Sequence, residues 1–324
     1  QGRIGQQIVE CVQAEGGVLT LTDLARYQAE WVEPLRVDYK NGFSFYEIPP
    51  NGQGLTALVA LNLAKQLDMA ALEYGSADYY HVLMEIIKLA FADAHAYIGD
   101  PRQTEIPVSG LLSDNYAAER FAQIDPRQAQ APQAGNPAAH GDTVYLTVAD
   151  SEGNMVSWIQ SLYMGFGSGL TAGATGVQLQ NRGANFTLET GHPNEVGPGK
   201  RPFHTIIPGF ISRDGQPWSS FGVMGGFMQP QGHLQVGLNL VEWGMDPQSA
   251  LDAPRFNWLE GLEFGLETAV SPAVRAELQK RGHQLRPVDQ PLHYGGGQVI
   301  VRDPETGVLI GGSEPRNDGA AVGW

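Results

Sequence analysis

The chain has 324 residues, 42% of them hydrophobic, enough to bury a sizeable core in one large domain or two smaller ones. Its formal net charge is −15, from 20 Lys and Arg against 35 Asp and Glu, and with no basic run to offset this a nucleic-acid partner is excluded. A single cysteine excludes an internal disulfide and any Cys/His zinc spacing, and no apolar run reaches the roughly 18 residues that span a membrane.

Residues 4–15 place Ile4, Ile8, Val9 and Val12 on one face of a helix that Gly16-Gly17 stops, and Cys11 among them reads as a small buried apolar residue. A short helix capped by Thr22 or Asp23 is expected to run to Tyr27. Residues 35–48 (LRVDYKNGFSFYEI) read as a hairpin turning at Lys40-Asn41-Gly42, and residues 54–66 as an apolar helix after Pro49-Pro50-Asn51-Gly52. The longest helix is predicted from a Ser76 cap to Tyr97, burying Tyr80, Leu83, Met84, Ile87, Phe91 and Ala94. His81 and Glu85 lie one turn apart on it; such a pair can ligate metal, but a surface or interhelix contact is expected, and no metal or cofactor is called for. Residues 113–123 read as a further helix.

Residues 125–142 (DPRQAQAPQAGNPAAHGD) lack a hydrophobic period and form a linker that ends at Thr143. Beyond it, residues 141–169 read as a strand, a turn at Ser151-Glu152-Gly153-Asn154 and a second strand, followed by the glycine-rich Met164 to Gly169. Val144, Leu146 and Val148 alternate with polar residues, so one side of this hairpin is expected to face a core. Cutting the Asp142-Thr143 bond would give Thr143 both a hydroxyl and an α-amine of pKa about 7.7 to 8.0, a nucleophile and a base on one residue. The plain alternative is a β-branched residue that starts a strand.

Strands are predicted at 176–180, 205–212 and 218–224, helices at 229–243 and at 272–281 behind a Ser271 cap, and a final pair of strands around the turn PETG. Strands flanked by separate helical blocks point to an α+β layered architecture.

The Thr-led hairpin, the FGSG loop, Gly225-Gly226 and the closing GGSEPRNDGAAVG resemble the gamma-glutamyltranspeptidase family of N-terminal nucleophile hydrolases. GGVLTLTDLARY, PPNGQG and HVLMEIIKLAFADAHAYIGDP are similar to that family's large-subunit pattern, so the likeness covers nearly the whole chain. It implies a four-layer αββα sandwich, self-cleavage at Asp142-Thr143, a large-subunit part at 1–142 and a small subunit at 143–324. It also implies large-subunit sequence ahead of Gln1, including an arginine that grips the substrate carboxylate, and a homodimer of the two-subunit unit is a further expectation. The compartment is left open, with cytoplasm favoured slightly over periplasm.

On this resemblance Thr143 is the nucleophile, Ser161 stands where the family has a threonine bonded to it, and Gly225 and Gly226 supply oxyanion N–H groups. The pocket departs from the glutamyl pattern: Tyr163 replaces an Asn, Arg182 a Gln and Asn185 an Asp, while His204-Thr205 replace a serine pair. Asn185 offers no charge to a substrate ammonium, and Arg182 offers a fork for a carboxylate, unless it pairs with a surface acid. Tyr163 and His204 should shrink the pocket. The wording QSLYMGFGSG and LQNRGANF resembles the oxamate amidohydrolase branch, which implies a small carboxylate-bearing amide as substrate. The alternatives are a γ-glutamyl hydrolase or transpeptidase, and an uncleaved binding homologue.

Overall fold

The computed structural model of the chain describes residues 2–131, 142–287 and 291–324. In chain order the elements are α1 (Arg3–Ala14), α2 (Leu21–Arg26), β1 (Leu35–Asp38), β2 (Phe43–Glu47), α3 (Gly54–Ala64), α4 (Ala77–Tyr97), α5 (Val108–Leu111) and α6 (Asp114–Phe121). There follow β3 (Asp142–Ala149), β4 (Met155–Tyr163), β5 (Gly209–Arg213), β6 (Gln216–Met224), α7 (Met228–Val241) and α8 (Pro247–Asp252). The chain closes with β7 (Phe256–Glu260), β8 (Glu263–Leu266), α9 (Pro272–Lys280), β9 (Gln284–Arg286), β10 (Gly296–Arg302) and β11 (Leu309–Ser313).

The central sheet runs β1-β2-β5-β6-β10-β11, and each neighbouring pair in it is antiparallel. Strands on either side of Asp142 therefore share one sheet, and a single hydrophobic core, from Val37 through Phe91 to Val301, draws on both. Helices α3 and α7 cover one face of this sheet, and the β3-β4 hairpin packs on β6 and β10 from the other. Helices, sheet and hairpin are thus stacked in the order that an α+β sandwich with helices outermost requires.

The hairpin buries the opposite side from the one its apolar alternation suggests. Tyr145 and Thr147 face the sheet, while Val144, Leu146, Val148, Val156 and Trp158 are exposed. The inner contact is made of hydroxyls and a glycine: Thr147 Oγ1 donates to Ser220 Oγ at 2.7 Å. Tyr145 lies flat over Gly222, where a Cβ would meet its ring at 2.5 Å. Two sheets can approach this closely only where one presents no side chain, so Gly222 sets the spacing.

Several expectations are adjusted in detail. Thr20, rather than Thr22 or Asp23, caps α2, because Asp23 sits at the third helical position and returns a bond of 2.8 Å to the Thr20 N–H. Cys11 is half-buried and lies against the Thr171 carbonyl. Residues 176–180 form no strand beyond a single bridge between Thr171 and Gln178, where Gly173 and Gly176 take left-handed conformations. The strand expected from 205 begins only at Gly209, because residues 204–207 bond instead to the 51–53 turn and to Gln229. Residues 132–141 of the expected linker lie outside the described residues.

Helix α4 is capped by Ser76 as predicted, yet it is buried almost all round, charges included. His81 and Glu85 do not meet each other. His81 Nε2 donates to the Asp125 carbonyl at 2.8 Å, so its Nδ1 accepts from His283 Nε2 at 2.8 Å, and Glu85 pairs with Lys88 at 2.5 Å. His81, Glu85 and His283 present ligand atoms within 4.8 Å of one another, but Glu85 Oε1, 3.9 Å from His283 Nε2, is already paired with the Lys88 ammonium. The cluster fastens the start of the linker instead, since Lys88 Nζ also donates to the Gln130 carbonyl at 2.5 Å.

Candidate active site

Thr143 enters β3 at an irregularity: Asp142 stands opposite Tyr163 and Thr143 opposite Ser161, with a register shift between them. Such bulges re-aim a side chain without ending the strand pairing. The Thr143 side chain is buried, and its Oγ1 donates to Ser161 Oγ at 3.1 Å. Ser161 Oγ in turn accepts the Tyr163 N–H at 2.8 Å, which fixes the hydroxyl's position from the backbone side.

Tyr163 is the one buried aromatic residue among the described residues held at positive φ, at 85°. A bulky residue adopts this conformation only where its surroundings over-determine it. Here Ser161 holds its N–H and Asn181 Oδ1 holds the next one, that of Met164, at 3.1 Å. The left-handed turn aims the Tyr163 ring at Arg182, whose guanidinium carbon lies 4.4 Å from the ring centre.

Arg182 is 3% exposed, which removes the surface-acid reading. Its Nη1 donates to the Thr205 hydroxyl, and its Nη2 is buried without a hydrogen-bond partner. Among the described residues no carboxylate pairs with it. Burial alone pushes its pKa down to about 10, so the fork remains charged at neutral pH. His204 is the reverse case: burial, and then the nearby Arg182 charge, pull it down to about 3 and leave a neutral imidazole. Asn185 gives its amide to the Phe203 carbonyl at 2.9 Å, so it braces the segment that carries His204.

Gly225 and Gly226 join β6 to α7 at φ 133° and 61°, conformations that require glycine. The Gly225 carbonyl accepts the Met228 N–H at 3.0 Å. A trans peptide sets N–H opposite C=O, so the Gly226 N–H points away from the helix. The Gly226 carbonyl is held by Gln53, a residue of the PPNGQG turn that the sequence did not single out. Its signal is weak, a polar residue between two glycines at a helix start. The structure thus links Thr143, Ser161, Tyr163, Arg182 and Thr205 in one run of contacts, and Gln53 ties Thr205 to Gly226.

A sequence model described as Gamma-glutamyltranspeptidase matches residues 1–324. The chain belongs to the gamma-glutamyltranspeptidase family. Its structure superposes on a cephalosporin acylase from Bacillus halodurans with a TM-score of 0.93 and 49% identity, over 100% of this chain and 59% of that one. Among curated proteins it is 38% identical to a glutathione hydrolase-like proenzyme (YwrD) of Bacillus subtilis (strain 168), over 100% of this chain and 62% of that protein. It is 34% identical to the oxamate amidohydrolase proenzyme of Klebsiella pneumoniae, over 100% of this chain and 61% of that protein. The chain therefore spans about three-fifths of the length of these relatives, and the α+β layering expected from the sequence is that of the acylase fold.

Proposed function

We propose that the protein is a self-processing amidohydrolase whose acyl donor carries a carboxylate, with oxamate as the smallest such substrate. The Thr143 hydroxyl attacks the Asp142 carbonyl, the peptide shifts to an ester, and water opens it to leave fragments 1–142 and 143–324. Because the two share a sheet and a core, they stay together. The freed α-amine, of pKa about 7.7 to 8.0, then takes the hydroxyl proton as Thr143 attacks a substrate amide. Ser161 holds the hydroxyl in place, and the Gly225-Gly226 N–H groups receive the oxyanion. An acyl-enzyme forms, the amine leaves with the proton, and water releases the acid.

The observation that carries the substrate class is Arg182: a buried guanidinium with an open Nη2 and, among the described residues, no acid to neutralise it. A buried unpaired charge is costly, and a substrate carboxylate supplies both the missing charge and the missing acceptor. A γ-glutamyl donor is the second reading, favoured by the name of the Bacillus subtilis relative. Asn185 speaks against it, having no charge for an α-ammonium and its amide already bonded to Phe203. The test is product release from oxamate, glutaramate, acetamide and a γ-glutamyl anilide by the processed full-length protein. Turnover of oxamate or glutaramate well above acetamide is expected; equal turnover of acetamide overturns the carboxylate reading, and preference for the anilide selects the γ-glutamyl one.

A further inference from the structure

We propose that Gln53 is a positioning residue for the oxyanion site, clamping the Gly225-Gly226 pair to the segment that holds Arg182. The inference rests on the reading of Thr143 as nucleophile and of the glycine pair as its oxyanion donors. Gln53 is 0% exposed, and its Nε2 donates to two carbonyls at once, those of Thr205 at 2.6 Å and Gly226 at 2.8 Å. Only the amide nitrogen can face two carbonyls, so the chemistry itself fixes which way round the group lies. Its Oε1 is buried with no partner. A packing role alone does not account for an amide that leaves one end unsatisfied, when an apolar side chain of the same length would fill the space.

The geometry explains the need. Gly226 has no side chain to wedge it, and a glycine pair is the most conformationally free joint in a chain. Three hydrogen bonds hold it: the Met228 N–H on the Gly225 carbonyl, and, on the Gly226 carbonyl, the Gln229 N–H at 3.2 Å from within the helix and the shorter bond from Gln53 at 2.8 Å from outside it. With both peptide planes pinned, the direction of the Gly226 N–H is set before any substrate arrives, the preorganisation on which oxyanion stabilisation depends. The backbone of Gln53 is fixed in its turn, since its N–H donates to the His204 carbonyl at 2.9 Å. Thr205, the other end of the clamp, carries the hydroxyl bonded to Arg182. One amide therefore sets the distance between the place where negative charge develops and the place where a carboxylate is received. It does so across the proposed cleavage, because Gln53 lies before Asp142 and both of its acceptors lie after it.

The experiment follows acylation of Thr143 by p-nitrophenyl acetate, a neutral activated ester that needs the oxyanion site but not Arg182. Labelling is read by mass spectrometry on the processed full-length protein. Gln53→Met keeps length and volume and removes both donors; a tenfold to hundredfold slower labelling is expected, on the order of what a misplaced catalytic group costs. Gln53→Glu, tested beside it, keeps one donor only while its carboxyl is protonated. Its labelling rate relative to the unsubstituted protein should therefore fall as pH rises, a dependence that lost packing does not create. Gln53→Met labelling within twofold of the unsubstituted rate, or a Gln53→Glu ratio flat with pH, overturns the clamp while leaving Thr143 in place. Failure of the unsubstituted protein to label at Thr143 removes the nucleophile reading and the clamp with it.

Discussion

The Arg182 guanidinium carbon rests 4.4 Å from the centre of the Tyr163 ring, and the ring is brought there by a left-handed backbone turn at Tyr163 itself. The ring covers the guanidinium and leaves the buried Nη2 open. Replacing Arg182 by Met should raise KM for oxamate or glutaramate about tenfold to hundredfold, since a hydrogen bond to a charged group contributes about 1.5–3 kcal/mol. Acylation by a neutral ester should change little. Steady-state kinetics on the two classes of acyl donor checks it, and an equal loss on both would show that Arg182 acts on the fold rather than on the carboxylate.

Ser161 stands between the Thr143 hydroxyl and the Tyr163 N–H, at 3.1 and 2.8 Å. Ser161→Ala should slow both self-cleavage and turnover by about twofold to tenfold, the scale of one neutral hydrogen bond at about 0.5–1.5 kcal/mol, and Ser161→Thr should restore most of it. The check is the time course of fragment appearance on a denaturing gel beside kcat.

Gly222→Ala should act on the nucleophile from a distance. The added Cβ would fall 2.5 Å from the Tyr145 ring, two residues from Thr143 on the same strand. Overpacking of this kind costs about 1–3 kcal/mol, so a lower Tm together with slower cleavage is expected. Thermal denaturation and cleavage rate measured on one preparation test the pair.

Three imidazoles are kept neutral by burial: His204 and His283 fall to about 3 and His95 to about 4, from 6.5. Each folded value lies below the unfolded one, so the unfolded chain binds more protons as pH drops. Their contribution to stability is complete above pH 6.5 and is lost progressively as pH falls towards those values. The Tm should decline from pH 6.5 downwards. His95 packs its ring between Phe91 and Phe203, and His95→Phe should flatten the part of the decline between 6.5 and 4. A pH series of melting curves for the two proteins measures it.

Local chemistry made the helices readable. Ser76 and Ser271 cap α4 and α9 as the sequence implies, and Lys40-Asn41-Gly42 turns the first hairpin with Asn41 and Gly42 at positive φ. The β3-β4 hairpin was legible as a hairpin but not as to which side is buried, because alternation marks two faces and only the partner surface, here Gly222 and Ser220, decides between them. The short strands β7 to β9 and helix α8 escaped the sequence reading altogether. In β8 and β9 the pairing is parallel across α9, and such a crossover leaves no local turn signal. At the site, Thr143 and the glycine pair stood out by resemblance, whereas Gln53 did not, since its role lies in two carbonyls more than 150 residues away. Arg182 was legible by the same resemblance as a fork for a carboxylate, but only its burial separates that reading from a pair with a surface acid.

Intact-mass spectrometry with N-terminal sequencing of the full-length protein, unsubstituted and Thr143→Ala, tests the central claim most directly. The account predicts that the unsubstituted protein yields a chain beginning Thr143-Val144-Tyr145-Leu146, and that Thr143→Ala remains one uncut chain. An active preparation with no such new terminus, or a Thr143→Ala protein cut at the same bond, would contradict it.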